Sequence, residues 1–268
     1  MNDLLLSEID SEQNNLLASL ALIEEHIFQK NVSENIQQAL STIIETCRDS
    51  IEGIDEPMAQ AECLINALYV DELFIDQERN RWPLSACLIE SSIGQRVISP
   101  VLKAVIIQHI ANQCDLEAEV VYVPEKVMVR IICDDLYSII FDPITGESIN
   151  WEELDRRLEG INNESLQPHL PPMECKSIVL EHLTLLKNVL IIEKRFDYAL
   201  VCVDLILSIR PDDPFERRDR GFLLHQLDCF KVAYDDYQYF VDACPKDPAA
   251  QLLKLQLDNI SVAETVLH

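Results

Sequence analysis

Cysteine, histidine and clustered charge are the residues from which chemistry could be built, and their spacing here disfavours most of it. The nine cysteines (Cys47, Cys63, Cys87, Cys114, Cys133, Cys175, Cys202, Cys229 and Cys244) are scattered and form no CxxC pair, whereas zinc needs clustered thiolates or imidazoles. An odd number spread this widely also differs from the disulfide framework of a short secreted domain. Most have apolar neighbours, where cysteine acts as a small hydrophobe, so they read as reduced core residues. The histidines (His26, His109, His169, His182, His225 and His268) are equally dispersed. Glu24-Glu25-His26 gathers two acids beside an imidazole, but within a helical apolar pattern it reads as a solvated face. There is no Gly-rich phosphate loop, HExxH or EF-hand pattern. No cofactor or metal is expected. The densest positive charge is FERRDRG, holding Arg217, Arg218 and Arg220, and guanidinium forks suit carboxylate recognition. The competing reading pairs these arginines internally, with Glu216, Asp219 or the acidic N-terminal part. Arg220 stands four residues from Glu216, a helical neighbour.

The net charge of −26 in 268 residues excludes phosphate backbones and anionic membranes as partners, since both require a basic face. The charge is lopsided. Residues 1–174 hold 10 Lys+Arg against 32 Asp+Glu, and residues 175–268 hold 11 against 15. Such asymmetry implies two units with different surfaces. No apolar run approaches membrane-spanning length, and the start MNDLLLSEID has acids where a signal peptide has a basic region. A soluble, cytoplasmic protein is expected.

Only 5 residues are glycine while nearly half are hydrophobic, which favours helices. Apolar spacing predicts amphipathic helices over 9–29, 33–53 and 57–75, and a short one over 83–92. Ser99-Pro100 reads as a helix start, a side-chain cap followed by a residue with no amide, with the helix running to Gln113. EVVYV, VMVRIIC and YSIIF, rich in β-branched and aromatic residues, read as an antiparallel meander. The turn DPITG follows, from Asp142 to Gly146.

In the C-terminal third, RFDYALVCVDLILSIRPDDP aligns with CFKVAYDDYQYFVDACPKDP at a constant offset of 34. Phe196 matches Phe230, Ala199 matches Ala233, and Pro211 and Pro214 match Pro245 and Pro248. Alanine permits close helix approach, and proline ends each second helix. This is the tetratricopeptide (TPR) pattern, predicting helices over 175–193, 196–209, 215–227, 230–243 and a capping helix over 248–262. In the first repeat Lys187 stands where the second has Gly221. Two repeats rarely hold together alone, so the first hairpin is expected to pack on the N-terminal domain. By TPR register the binding groove would be lined by Thr184, Asn188, Arg218, Phe222, His225 and Gln226, with Arg217 and Arg220 beside it.

The order of buried helix, VPEKVMVR strand, FDPITGE turn and RDRGFLLHQLD hairpin resembles the bacterial SirB-type transglutaminase-like/TPR family, over roughly residues 60–262. The resemblance implies an α+β, mostly α chain: residues 1–170 a transglutaminase-like domain, helical over 1–92 with its core helix and sheet at 99–147, and residues 171–268 two TPR hairpins with a capping helix. Active members of the wider fold place Cys at the buried helix's start, His on the next strands and Asp beyond. Helix N-terminus, base and orienting acid together make a nucleophilic thiolate. By that register the positions here are Pro100, Lys126 and Asp142. Residues 95–105 contain no Cys and 117–168 no His. A degenerate, non-enzymatic core serving as an adaptor or regulator for another protein or peptide is therefore expected. The alternative is an amide-bond hydrolase or transferase using Ser99 with Lys126 as base, or a relocated cysteine. A lysine base would require burial to depress its pKa far below about 10.4.

Overall fold

The computed structural model describes residues 15–134, 137–158 and 170–255, with Ser7 and Leu257. The chain divides into two compact units, one spanning Ser7–His182 and the other from Leu183 onward.

The first unit opens with α1 (Leu16–Phe28) and α2 (Ser33–Ile51), whose buried Leu17, Leu20, Ile23, Ile36, Leu40 and Ile43 recur at helical spacing. The expected residues 9–14 lie outside the described residues. Helix α3 (Pro57–Asn66) passes into a π-helical turn, Ala67–Asp71. The predicted continuation to 75 ends there: Leu73 takes a left-handed φ of 57°, and the chain leaves the helix. The single helix expected over 83–92 is two pieces, a 3-10 turn Leu84–Ala86 and α4 (Ile89–Gln95). Between them Leu88 is extended, and the Ile89 amide donates to the buried Glu24 carboxylate at 2.8 Å. A side chain from α1 thus caps a helix distant in sequence.

Helix α5 (Pro100–Gln113) is buried along most of its length. Three antiparallel strands follow in spatial order β1 (Ala118–Val123), β2 (Lys126–Ile132) and β3 (Ser138–Phe141). Val123 pairs with Lys126 across the two-residue turn Pro124-Glu125, where Glu125 has φ 72° as the third residue of a type II turn requires. Helix α5 packs on β1 and β2, while Val121, Val123, Met128 and Ile140 join Leu154 and Leu158 of α6 (Trp151–Leu158) in a core. The sheet therefore separates two apolar layers.

Helix α7 (Cys175–Ile192) begins in the first unit and ends in the second. The second unit continues with α8 (Phe196–Ile209), α9 (Pro214–Gln226) and α10 (Phe230–Ala243), then a helix over 248–255. The expected 258–262 lies outside the described residues. A Cβ on Gly221 would meet the Tyr237 ring at 2.8 Å, so the glycine is what lets α9 and α10 approach. Ala233, Tyr237, Phe240, Val241, Ala250 and Leu257 form one core cluster of this unit, and Leu186, Leu190, Ala199, Val203 and Ile206 of the first repeat are buried as well.

Candidate functional site

The three positions of the implied triad sit on three elements. Pro100 is the first residue of α5, Lys126 the first of β2, and Asp142 directly follows β3. Lys126 and Asp142 meet: Nζ lies 3.1 Å from Asp142 Oδ2 and also contacts Glu78. Asp142 Oδ1 accepts the Ile144 amide at 2.7 Å, closing the turn. The hydrogen bond it donates to Glu78, with the one to Asp142 adding to it, raises the Lys126 pKa above the ordinary lysine value. Lys126 is thus clamped between two carboxylates.

Ser99 departs from expectation. It occupies the N-cap position, but its side chain makes no capping bond. Its amide donates to Ala86 O at 2.9 Å and its carbonyl accepts the Lys103 amide. The hydroxyl is fully enclosed, without a partner among the described residues. A nucleophile needs a path to substrate and a base ready to take a proton. Ser99 has no exposed surface, and Lys126 is held as an ammonium.

The lysine with a depressed pKa is a different one. Lys103, one turn into α5, is fully buried. Its Nζ donates to Phe74 O and to Ile144 O at 3.3 Å, and lies 5.5 Å from the Tyr69 ring and 5.9 Å from that of Phe74. Burial lowers its pKa to about 8, against the pull of Asp76 and Asp142. Tyr69 donates to Pro143 O at 2.7 Å and covers Gly146, whose Cβ position lies 2.7 Å from the ring. Lys103 and Tyr69 thus fasten α5 and the π-turn to the Asp142–Gly146 turn. A lone lysine within the apolar run VLKAVII was the available signal.

The cysteines offer no obvious substitute. Burial pushes the Cys47 and Cys202 thiols up to about 12 and raises Cys114 and Cys133, which is the opposite of an activated thiolate. Cys229 is exposed. Glu24 and Glu25 do not form a solvated face: Glu24 is buried, and Glu25 accepts the Val32 and Ser33 amides at the start of α2. His182 is buried, and burial lowers its pKa to about 4. His169 and His268 lie outside the described residues.

In the second unit the arginines of FERRDRG are paired internally. Arg220 bonds the buried Asp236 at 2.6 and 2.7 Å, rather than Glu216, and Arg217 reaches the same carboxylate at 3.2 Å. Arg218 bonds Asp219 at 2.8 Å. Among the remaining groove candidates Asn188, Phe222, His225 and Gln226 are exposed and Thr184 is half-buried. The Phe222 ring stands edge-on to Phe196 at 6.1 Å, and His225 edge-on to Phe230 at 5.2 Å.

The model for the transglutaminase-like superfamily matches residues 34–184, and that for the tetratricopeptide repeat matches residues 186–258. The chain is 29% identical over 267 residues to UPF0162 protein YchA of Escherichia coli (strain K12), covering 98% of this chain and 99% of that one. It is 31% identical over 214 residues to a UPF0162 protein of Vibrio cholerae, covering 78% and 79%. It is 28% identical over 265 residues to Protein SirB1 of Salmonella typhimurium, covering 97% and 98%. No solved structure matches it. Among the described residues no helix is long and apolar enough to cross a membrane.

Proposed function

The chain belongs to the transglutaminase-like superfamily, with tetratricopeptide repeats following, and from that premise we propose that it is a non-catalytic adaptor or regulatory protein of the cytoplasm. The observation that carries this reading is the Lys126 ammonium between Glu78 and Asp142. Where a thiol enzyme of this fold would hold an imidazole oriented by a carboxylate, this chain holds an ion pair. An ammonium whose pKa is raised cannot accept a proton at neutral pH. The carboxylate that would orient a base instead fixes a turn and a cation. The site's chemistry has become structural.

Repeat hairpins of this kind bind proteins and peptides. The exposed Asn188, Phe222, His225 and Gln226 supply amide, aromatic and imidazole surface for such a partner, and Arg217, Arg218 and Arg220 shape that surface from within their ion pairs.

Reactivity profiling tests the non-catalytic reading. A fluorophosphonate for serine and iodoacetamide for cysteine are applied to the native and the urea-unfolded chain. No serine or cysteine is expected to react faster in the native chain. A native-only labelling of Ser99, lost in Lys126→Met, would restore the hydrolase alternative.

A further inference from the structure

We propose that the segment from Val70 to Ile75 is a second interaction surface, on the transglutaminase-like unit, built to receive a cationic amphipathic segment of another protein. Val70, Leu73 and Ile75 are 59%, 63% and 63% exposed, three large apolar side chains within six residues. Scattered exposed leucines require no explanation, whereas a concentrated exposed patch marks an interface. Leu73 and Ile75 alternate with the buried Phe74 and point outward together.

The backbone presenting them is held rather than loose. The Phe74 amide donates to Leu68 O at 3.0 Å and the Asp76 amide to Ile144 O at 3.0 Å. Arg96 grips Glu72 through both its carbonyl and its carboxylate. Leu73 adopts φ 57°, a region that glycine occupies without cost and leucine does not. A residue both strained and exposed gains nothing for the fold by being leucine, and such strain gathers at functional sites. The adjoining π-turn is a second uncommon feature of the same kind. Beside it a cleft of about 360 Å³ is lined by Met58, Glu62, Ile65, Tyr69, Val70 and Ile139, among others.

Charge identifies the occupant. From residue 52 to 78 the chain has eight acids and no Lys or Arg; Glu72, Asp76 and Glu78 are paired with Arg96, Arg79 and Lys126, while Glu62 and Asp71, flanking the apolar residues, are exposed. An apolar ridge in an acidic field fits a helix with leucine-type residues on one face and lysine or arginine beside them. An acidic partner or an anionic membrane would be repelled. The surface belongs to the Ser7–His182 unit and does not depend on whether the core is catalytic.

The test uses the full chain and a labelled Leu/Lys amphipathic peptide, read by fluorescence anisotropy at about 0.15 M salt, where screening acts beyond about 8 Å. Wild type is expected to bind it and to leave a Leu/Glu peptide of equal hydrophobicity unbound. Leu73→Ser with Ile75→Ser, which leaves the charge unchanged, should weaken binding at least about tenfold at unchanged Tm. Leu252→Ser with Leu255→Ser, exposed in the other unit, should change nothing. Should the double serine variant fold poorly, Leu73→Gly relieves the strained φ and removes the side chain; it should hold Tm and still weaken binding. Equal binding by wild type and by the serine or glycine variants would reduce the effect to general charge attraction and overturn the proposal. So would failure of wild type to bind, or a self-association in sedimentation that the serine variant abolishes, which would make the occupant a second copy.

Discussion

Lys187 Nζ lies 2.8 and 2.9 Å from the two carboxylate oxygens of Glu216 and 2.8 Å from Asp219. Lys187 stands where the second repeat has Gly221, 34 residues later. The glycine brings its two helices together by being small. The lysine, with only 4% of its side chain exposed, joins α7 to α9 by charge. Burial alone would lower its pKa, but Asp219 and Glu216 outweigh that and raise it. Lys187→Met should destabilise by about 2–3 kcal/mol, because Glu216 is left with no counter-charge. Adding Glu216→Gln should recover part of the loss, a coupling visible in a double-mutant cycle of urea unfolding. Additive losses would show that the pair contributes little.

Glu24 gives the chain a pH dependence of defined sign. Burial raises its pKa from 4.5 to about 7, against the Ile89 amide, which favours the charged form. A carboxyl whose folded pKa lies above its unfolded value binds protons more readily when folded. Its contribution is therefore favourable at low pH and is lost as pH rises from about 4.5 to about 7. Glu24→Gln keeps an oxygen for the Ile89 amide and carries no charge. The variant should gain stability over wild type across that window, levelling above pH 7 at a difference of about 3 kcal/mol. Urea midpoints at pH 5 and pH 8 measure it; an equal difference at both would place the Glu24 pKa at its ordinary value.

Two glycines at the same φ separate strain from crowding. Gly53 and Gly146 both have φ 77°, but a Cβ on Gly53 meets nothing within 4 Å while one on Gly146 meets the Tyr69 ring at 2.7 Å. Gly53→Ala should cost only the backbone strain, about 1–2 kcal/mol. Gly146→Ala adds a clash with a ring fixed by its bond to Pro143 O, and should cost about 2–4 kcal/mol in all. Thermal unfolding of the two variants compares them directly, and similar losses would mean that Tyr69 yields easily.

Much of the fold was legible because it rests on local periodicity. The buried α5, the three strands and the repeat helices follow from apolar spacing, β-branched runs and a 34-residue offset. What escaped depends on side chains distant in sequence. The 83–92 helix breaks at Leu88 because the next helix begins on Glu24, a residue of α1. Arg220 looked paired with Glu216 at helical spacing, but Asp236 of the following helix offers two oxygens inside the unit. Ser99 kept the cap position without the cap, and Lys126 found Glu78 across a stretch that no pattern connects. Lys103 was hidden by a prior: lysines seldom enter cores, and this one is held there by the carbonyls of Phe74 and Ile144, the rings of Tyr69 and Phe74, and the charges of Asp76 and Asp142.

The assignment of Pro100 and Lys126 to a lost thiol and imidazole can be tested by putting them back. Pro100 opens α5, where a proline can be replaced at little cost to the helix, and a thiol there would meet the helix N-terminus, which favours the thiolate. Lys126→His removes the ammonium and leaves Asp142 free to orient an imidazole, as it would in a thiol enzyme. In Pro100→Cys alone the introduced thiol should alkylate modestly with iodoacetamide. In Pro100→Cys with Lys126→His it should react about tenfold faster near pH 6, where an ordinary thiol with pKa about 8.5 is almost wholly protonated. The exposed Cys229 provides an internal reference, while the buried Cys47 and Cys202 stay silent. Adding Asp142→Asn should return the rate to that of the single variant if the imidazole depends on its carboxylate. A rate unmoved by Lys126→His would show that the two positions do not face one another, and the register relating this chain to the catalytic members would have to be redrawn.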